Sequence, residues 1–462
     1  MGPACSQHDT LVKMVQAGMN VARFNFSHGD HESHRANIEL VKQVREELNV
    51  PLALMLDTKG PEFRIGTFET GSIELASGDR FTLTAREVAG TQTEVSVRPA
   101  TIIERLSVGD TILINDGLVS VEVTERTDTD AVCKVIDGGK LSNNKSMSFP
   151  NKVLHTEYLS ERDRSDLLFG IEMGVDYVAA SFVSTAQDMK DLRRFLDENG
   201  GEDIHIIAKI ENRSGVDNAA AILEHCNGIM VARGDLGVEI PYEELPHIQK
   251  KLTRTCLTHG KIVVTATEML ESMTEKPRPT RAEISDVANA VYDGSSAIML
   301  SGETAAGKHP VEAVNAMSRI AVETEAHIHY RRRFRKANFV MLGTGDAMSH
   351  GACSLALDMG VSAIVACTLS GGTAQQISRF RCPVPIIGLT TRPKVYHQLA
   401  LAWNVEPAMS DHFPSVDVLL YYAKSAAKSS GLTHPGDRVL ITAGGTGGKS
   451  GDTNLIKVEE MD

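Results

Sequence analysis

Short apolar runs that end in a polar residue recur between residues 21 and 60 and again between about 151 and 305, and a helical spacing of apolar positions follows each one. The runs are Val21 to Phe26, Leu52 to Leu56, Tyr177 to Phe182, Ile204 to Ile210, Ile229 to Ala232, Ile262 to Ala266 and Ala297 to Leu300. Segments that are apolar throughout, without alternation, mark parallel strands covered on both faces. The later ones recur at roughly the 25 to 35 residues of one βα unit. Charged or hydroxylated residues stand at their C-terminal ends: Asp57, Lys209, Asp235, Thr267 and Ser301. In a (β/α)8 TIM barrel that face carries the active site. The pattern therefore predicts such a barrel over 1–60 and 151–330, with an open doubly wound sheet as the alternative. Seven runs are one short of closure, and Met1-Gly2-Pro3 directly precedes an amphipathic stretch from about Asp9 to Gln16. The expectation is that a first strand is absent there or replaced by another segment, because an unclosed barrel leaves raw strand edges.

Residues 61–150 change period. Ser72-Ile73-Glu74-Leu75, Arg80-Phe81-Thr82-Leu83-Thr84 and Val119-Ser120-Val121-Glu122-Val123 alternate, and turn residues such as Asn115-Asp116-Gly117 separate them. This predicts an inserted all-β domain, hinged near Gly60-Pro61 and Pro150, that serves as a lid or as passive decoration. Beyond Arg331-Arg332-Arg333-Phe334-Arg335-Lys336, strands at Ala363 to Thr368, Pro385 to Thr390 and Arg438 to Thr442 alternate with helices. They predict a C-terminal α/β domain over 331–462.

Length fits three domains, since 462 residues is about three times a typical domain of ~150. The 47 lysines and arginines against 60 aspartates and glutamates leave a net charge of −13, which excludes non-specific nucleic-acid and anionic-membrane binding. Any anionic ligand must be met by local positive groups. No apolar run approaches the ~18 residues of a spanning helix. The seven scattered cysteines, without a C-x-x-C, and the lack of a signal-like N-terminus point to a reduced, cytoplasmic setting. Gly2 and Ser6 fit a crude myristoylation pattern without a second anchor, which is too little for membrane attachment.

In Lys209-Ile210-Glu211 an ammonium and a carboxylate two residues apart share one face of a strand end. The next strand ends in Ala232-Arg233-Gly234-Asp235, adding a second carboxylate. Two oxygen ligands from adjacent strands suit a hard divalent cation, Mg²⁺ or Mn²⁺, with a buried ion-pair network as the alternative. Arg23, Asn25 and Ser27 lie on one face of another strand beside Asp57 and Thr58. The arginine suits a phosphate or carboxylate, and the neutral oxygens suit a monovalent cation. These polar groups could also merely fill a barrel layer. Arg64 and Lys145 flank the insertion, placed to bring positive charge over the site.

Asn25-Phe26-Ser27-His28-Gly29, Asp57-Thr58-Lys59-Gly60-Pro61-Glu62, Lys209-Ile210-Glu211-Asn212 and Met230-Val231-Ala232-Arg233-Gly234-Asp235-Leu236-Gly237 together resemble the pyruvate kinase family. So do Arg278-Pro279-Thr280-Arg281-Ala282-Glu283 and Met299-Leu300-Ser301-Gly302-Glu303-Thr304-Ala305, in register along essentially the whole chain. The resemblance implies phosphoryl transfer from phosphoenolpyruvate to ADP, giving pyruvate and ATP. It places the divalent ion on Glu211 and Asp235, the transferring phosphoryl group and the enolate on Lys209, and the phosphate on Arg23 with help from Arg64. The substrate carboxylate falls to the backbone near Ala232, Gly234 and Asp235. Thr267 takes a relay role in protonating the enolate, with Ser301 and Glu303 nearby.

The resemblance also implies a K⁺ site at Asn25, Ser27, Asp57 and Thr58, and Glu62 stands where a glutamate accompanies K⁺ dependence in the family. Nucleotide contacts fall to Pro3, His28 and Lys145. The family pattern is departed from in Lys145-Ser146-Met147-Ser148-Phe149-Pro150-Asn151, at Asn115 and at Glu268. Ala443-Gly444-Gly445-Thr446-Gly447-Gly448-Lys449-Ser450 almost spells a P-loop, but no helix pattern follows it, as a P-loop requires. It resembles the flap of the family's effector site, opposite a phosphate cradle at Thr368, Ser370, Gly371, Gly372 and Thr373 that would take a phosphorylated activator. A homotetramer is implied by the family alone. Competing readings are a carbon–carbon lyase on a related barrel and a non-catalytic or truncated regulatory relative. The lid and effector-like segments argue against the first, and the intact Lys209, Glu211 and Asp235 against the second.

Overall fold

The computed structural model describes residues 1–150, 152, 157–341, 343–444 and 453–462. Seven parallel strands, Val21–Asn25, Ala53–Asp57, Tyr177–Ala180, His205–Ile210, Gly228–Ala232, Ile262–Ala266 and Ala297–Ile298, pair in that order. They are the predicted apolar runs, and successive side chains serve two different cores. Phe24, Leu54, Leu56, Val178, Ile206, Ile229 and Val263 face the outer helices. Ala53, Met55, Tyr177, Ala179, Ile207, Met230 and Val264 pack inside the barrel. Because both faces are apolar, no polar alternation survives in these segments except in Val21–Asn25, where Arg23 and Asn25 alternate with Ala22 and Phe24.

The strands Ala53–Asp57, Tyr177–Ala180, Gly228–Ala232 and Ile262–Ala266 are buried at every position. Val21, Arg23 and Asn25, and both Ala297 and Ile298, remain partly exposed. Among the described residues, neither of these end strands has a strand partner on its outer side. The Met1 ammonium donates to the Arg23 carbonyl at 2.7 Å. The turn Pro3–Cys5 then packs so closely that a Cβ on Gly2 would lie 2.5 Å from the Ala305 carbonyl oxygen.

Seven short strands between Phe63 and Ser148 close into a second, smaller barrel. Phe81, Leu83, Val95, Val97, Ile112, Ile114, Val121 and Val123 fill it. The Asn115-Asp116-Gly117 turn is left-handed at all three residues, with φ of 59°, 55° and 82°, as its composition predicts. The C-terminal sheet orders Val405–Met409, Ile386–Thr390, Ala363–Cys367 and Arg438–Gly444 in parallel, with Thr453–Glu460 antiparallel at one edge. The strand Val405–Met409 was not predicted. It is a partly exposed edge containing Pro407, a position where a missing N–H is tolerated.

The C-terminal sheet's helix Pro393–Gln398 and the turn Leu399–Leu401 plug the N-terminal mouth of the large barrel. Leu401 joins the inner cluster of Met55, Tyr177 and Val264. The buried Tyr177 hydroxyl donates to the Gln398 carbonyl at 2.6 Å, and Gln398 Nε2 donates to the Asp203 carbonyl at 2.7 Å. Beside them the Asp176 carboxylate accepts the Leu54 N–H at 2.8 Å. Burial pushes that carboxyl up to about 6, against the pull of Lys394 and Arg45. An acid raised in the folded state stabilises fully below its unfolded pKa of 3.8 and loses that contribution as pH rises through about 6. Wild type should therefore lose about 2 kcal/mol relative to an Asp176→Asn variant between pH 4 and pH 7. Urea unfolding of both proteins at the two pH values measures this, and a pH-independent difference contradicts it.

Candidate active site

At the carboxyl face of the large barrel the strand ends bring Arg23, Asp57, Lys209 and Glu211 into one hydrogen-bonded cluster. Strand register sets Asn25 against Asp57 and Arg23 against Met55. Arg23 Nε donates to Asp57 Oδ2 at 2.5 Å. Lys209 Nζ donates to Asp57 Oδ1 at 3.0 Å and to Ser181 Oγ at 2.7 Å, and it pairs with Glu211 Oε1 at 2.9 Å. Glu211 Oε2 also accepts the Phe182 N–H at 2.5 Å.

The electrostatics follow from burial and pairing. Burial alone would raise the Asp57 carboxyl, but the Arg23 guanidinium and the Lys209 ammonium overcome it and hold that carboxyl below the usual range. Burial would likewise strip the proton from Lys209, but Asp57 and Glu211 hold it on and lift its pKa above the ordinary value. Glu211 goes the other way: burial drives it up against the pull of Lys209, and the neighbouring Asp235 adds to the rise. Negative charge around Glu211 and Asp235 is thus under-compensated by the chain's own cations, and these oxygens are the donors a hard divalent ion takes. No cluster of three or more His, Cys, Asp or Glu side chains able to hold a metal occurs among the described residues. Two carboxylates fit an ion whose remaining positions belong to water and substrate.

The residues expected to hold a monovalent cation lie together. Asn25 Oδ1 accepts the Ser27 N–H at 3.0 Å, and the Thr58 carbonyl accepts from Ser181 Oγ at 2.6 Å. Neutral oxygens beside one carboxylate are the donor set such an ion takes. Glu62 forms a two-bond pair with Arg64, both at 2.9 Å, and meets Lys59 at 3.1 Å. Arg64 is therefore not part of the Arg23–Lys209 cluster; it is held by Glu62 and by the Asn144 carbonyl at 2.6 Å.

Thr267 lies one strand on, with φ of +66°, an outlier for a β-branched residue. Arg233 donates to its carbonyl at 2.6 Å and pairs with Asp286 at 2.7 Å, which holds the strained turn. Thr267 Oγ1 accepts the Gly234 N–H at 2.8 Å, so the amide expected to receive a carboxylate already has a partner that must turn away. A Cβ at Gly234 would meet Thr267 Oγ1 at 3.5 Å, so packing within the chain does not demand glycine there. Glu303 is fully buried, with its oxygens taken by the Leu270 and Ser301 N–H groups at 3.0 and 2.7 Å. Ser301 Oγ is buried without a partner among the described residues. Ala232 ends its strand, and Asp235 is exposed in the helical turn that follows.

Other expected positions are dispersed. Pro3 begins the N-terminal turn, His28 accepts from His34 Nε2 through its carbonyl at 2.8 Å, and the Lys145 carbonyl accepts the Ile65 N–H at 2.9 Å. No hydrogen bond or ion pair joins these three among the described residues. In the C-terminal sheet, Thr368 is buried, Ser370 follows it, Gly371 has φ of +82°, and Gly372 opens a short helix. Thr373 Oγ1 meets Thr453 Oγ1 at 2.7 Å. Gly445 to Ser450 of the glycine-rich loop and Asn151 lie outside the described residues. Sequence reasoning missed Ser181 and Phe182. The available signal was a serine at the C-terminal end of a barrel strand, the same signal that marked Asp57 and Lys209.

The family model for the barrel domain of pyruvate kinase matches residues 1–314, and that for its alpha/beta domain matches residues 346–459. The chain is 44% identical over 465 residues to a pyruvate kinase of Clostridium acetobutylicum, covering 100% of this chain and 98% of the relative. It is 46% identical over 464 residues to one of Geobacillus stearothermophilus, covering 99% and 78%. A solved pyruvate kinase from Cryptosporidium parvum superimposes with a TM-score of 0.94 at 37% identity, covering 100% of this chain and 95% of that one.

Asp57 is the shared counter-charge of two largely buried cations, so its loss strands both. Asp57→Ala should destabilise the protein by about 3–5 kcal/mol, read from the urea midpoint. A change below ~1 kcal/mol would contradict the central place given to this carboxylate.

Proposed function

The chain belongs to the pyruvate kinase family, and from that premise we propose that it transfers the phosphoryl group of phosphoenolpyruvate to ADP, forming pyruvate and ATP. The observation that carries the reading is the buried Lys209 ammonium, held charged by Asp57 and Glu211 at the barrel's carboxyl face beside Arg23. Phosphoryl transfer asks mainly for positioning and for compensation of spreading negative charge. Lys209 and Arg23 bind the phosphoryl oxygens, and Lys209 remains to stabilise the enolate once the phosphoryl group has left.

Glu211 and Asp235 are the residues for Mg²⁺ or Mn²⁺, which when bound neutralises phosphoryl and enolate oxygens. Asn25, Ser27, Asp57 and Thr58 are the residues for K⁺, which adds fixed positive charge beside the phosphoryl pocket. The amides near Ala232, Gly234 and Asp235 receive the substrate carboxylate after Thr267 Oγ1 turns away. Thr267 and the Ser301 hydroxyl, which has no partner among the described residues, support proton delivery to the enolate carbon. Arg64 assists once released from Glu62, and Pro3, His28 and Lys145 contact the nucleotide.

We divide the chain into a catalytic barrel at 1–60 and 151–330, a lid at 61–150 and an effector domain at 331–462. A phosphorylated activator binds at Thr368, Ser370, Gly371, Gly372 and Thr373, where glycine-rich backbone opens a helix. A homotetramer is the family's implication alone, and exposed Ile284, Tyr292, Leu355 and Met359 on two helices offer apolar surface for contact between copies. A cytoplasmic setting is supported by seven free, buried cysteines. No helix among the described residues is long and apolar enough to cross a membrane.

The test is pyruvate formation from phosphoenolpyruvate and ADP with Mg²⁺, with and without K⁺, with Lys209→Met as control. Activity should require K⁺ and fall by at least a hundredfold in the variant, the scale of losing a principal electrostatic contact. A folded wild-type protein that makes no pyruvate would overturn the reading in favour of a regulatory relative.

A further inference from the structure

Ser181 follows the strand Tyr177–Ala180 and is 1% exposed. Its oxygen accepts an N–H of Lys209 at 2.7 Å, the shortest of the three contacts that ammonium makes. An ammonium has no lone pair, so the serine can only accept in that bond. Its single proton then goes to the Thr58 carbonyl at 2.6 Å, the shorter alternative to Asp57 Oδ1 at 3.2 Å. The serine backbone is fixed as well. Its N–H donates to Thr58 Oγ1 at 3.1 Å, and its carbonyl accepts from the buried Tyr158 hydroxyl at 2.9 Å. The next residue, Phe182, holds Glu211 by its N–H at a φ of +55°, so one strand end grips both the ammonium and the carboxylate of the site.

All three Lys209 protons are committed, to Asp57, Ser181 and Glu211. An incoming phosphoryl oxygen therefore needs one of these bonds released. Asp57 is anchored on its far side by Arg23, and Ser181 is anchored at both backbone ends. Asp57 and Glu211 both have a proposed ion-binding duty, but Asp57 keeps Arg23 as a second cation while Lys209 is the one cation paired with Glu211 among the described residues, so Glu211 is the partner that can let go. We propose that Ser181 is a positioning residue for phosphoryl transfer: with Asp57 it fixes the rotation of the Lys209 ammonium, so that the N–H released by Glu211 points at the transferring group. This rests on the phosphotransfer reading above.

Ser181→Ala removes the acceptor, and Ser181→Cys keeps nearly the same volume while offering only a weak one. Both should lower kcat about tenfold while KM for phosphoenolpyruvate stays within twofold, the signature of a contact that matters in the transition state. The Cys variant should melt within a few degrees of wild type. The inference is overturned if kcat of the Cys variant stays within twofold of wild type. It is equally overturned if the loss falls in KM, or if the melting temperature collapses along with kcat, which would mark a purely structural role. Wild-type protein that makes no pyruvate overturns the functional reading itself, and that outcome is visible before any variant is assayed.

Discussion

Two cations and two carboxylates buried in one hydrogen-bonded cluster are the constraint on which the rest of this molecule depends. Taking each charge out of water costs several kcal/mol, and only a complete set of partners offsets it. Asp57 is shared by Arg23 and Lys209, Lys209 by Asp57, Ser181 and Glu211, and Glu211 by Lys209 and the Phe182 amide. No member can be removed without stranding another. The strained backbone nearby is consistent with this demand: Phe182, Thr267 and Glu268 all have positive φ at strand ends on this face. Such conformations cost roughly 1–3 kcal/mol each and persist only where surrounding contacts over-determine them, as Arg233 does at Thr267.

The opposite end of the same barrel is closed by the C-terminal sheet, and one strand joins the two ends. Tyr177 begins that strand bonded to Gln398, and Ser181 follows its last residue bonded to Lys209. Behind Gln398, the helix Pro393–Gln398 packs against the glycine turn at Gly371, in the loop proposed to take a phosphorylated activator. A Cβ on Gly371 would meet Leu399 Cδ2 at 3.4 Å and Val395 Cγ1 at 3.5 Å. A change at that loop and a change at Lys209 therefore act on one packed series of elements. Coupling between them is a free-energy difference between two states of that series, and its sign is set by which state each ligand prefers.

How much of this was legible in the chain depends on how local the cause is. The barrel strands were legible because burial on both faces makes them apolar throughout, and the small barrel because burial on one face makes it alternate. Asp57, Lys209, Glu211 and Arg23 were legible because charges at strand ends have few structural reasons to be there. The bond from Lys209 to Asp57 was not, since it spans 152 residues and no local pattern encodes it. Ser181 was hidden for the same reason, as a small hydroxyl residue whose weight comes only from the groups that converge on it. Arg64 was placed near the cluster by its position beside the lid hinge. The structure instead gives it to Glu62, two residues away, whose carboxylate is the nearer acceptor. Val405–Met409 escaped because an edge strand needs neither continuous apolarity nor every N–H.

The charge count around the site is in keeping with the proposed use of cations from outside the chain. Arg23 and Lys209 face Asp57, Glu211 and Asp235, so the inner site carries one more negative charge than positive before any substrate arrives. Lys59 and Arg64 share a single carboxylate, Glu62, which leaves the side facing the small barrel with one spare positive charge. A substrate that carries both a phosphate and a carboxylate meets no net positive charge in such a site from these groups alone. Surface lysines more than a Debye length away are screened by solvent and salt, so they do not make up the deficit. Added cations at Glu211 and Asp235 and at the Asn25–Thr58 oxygens would turn a mildly negative pocket into a positive one.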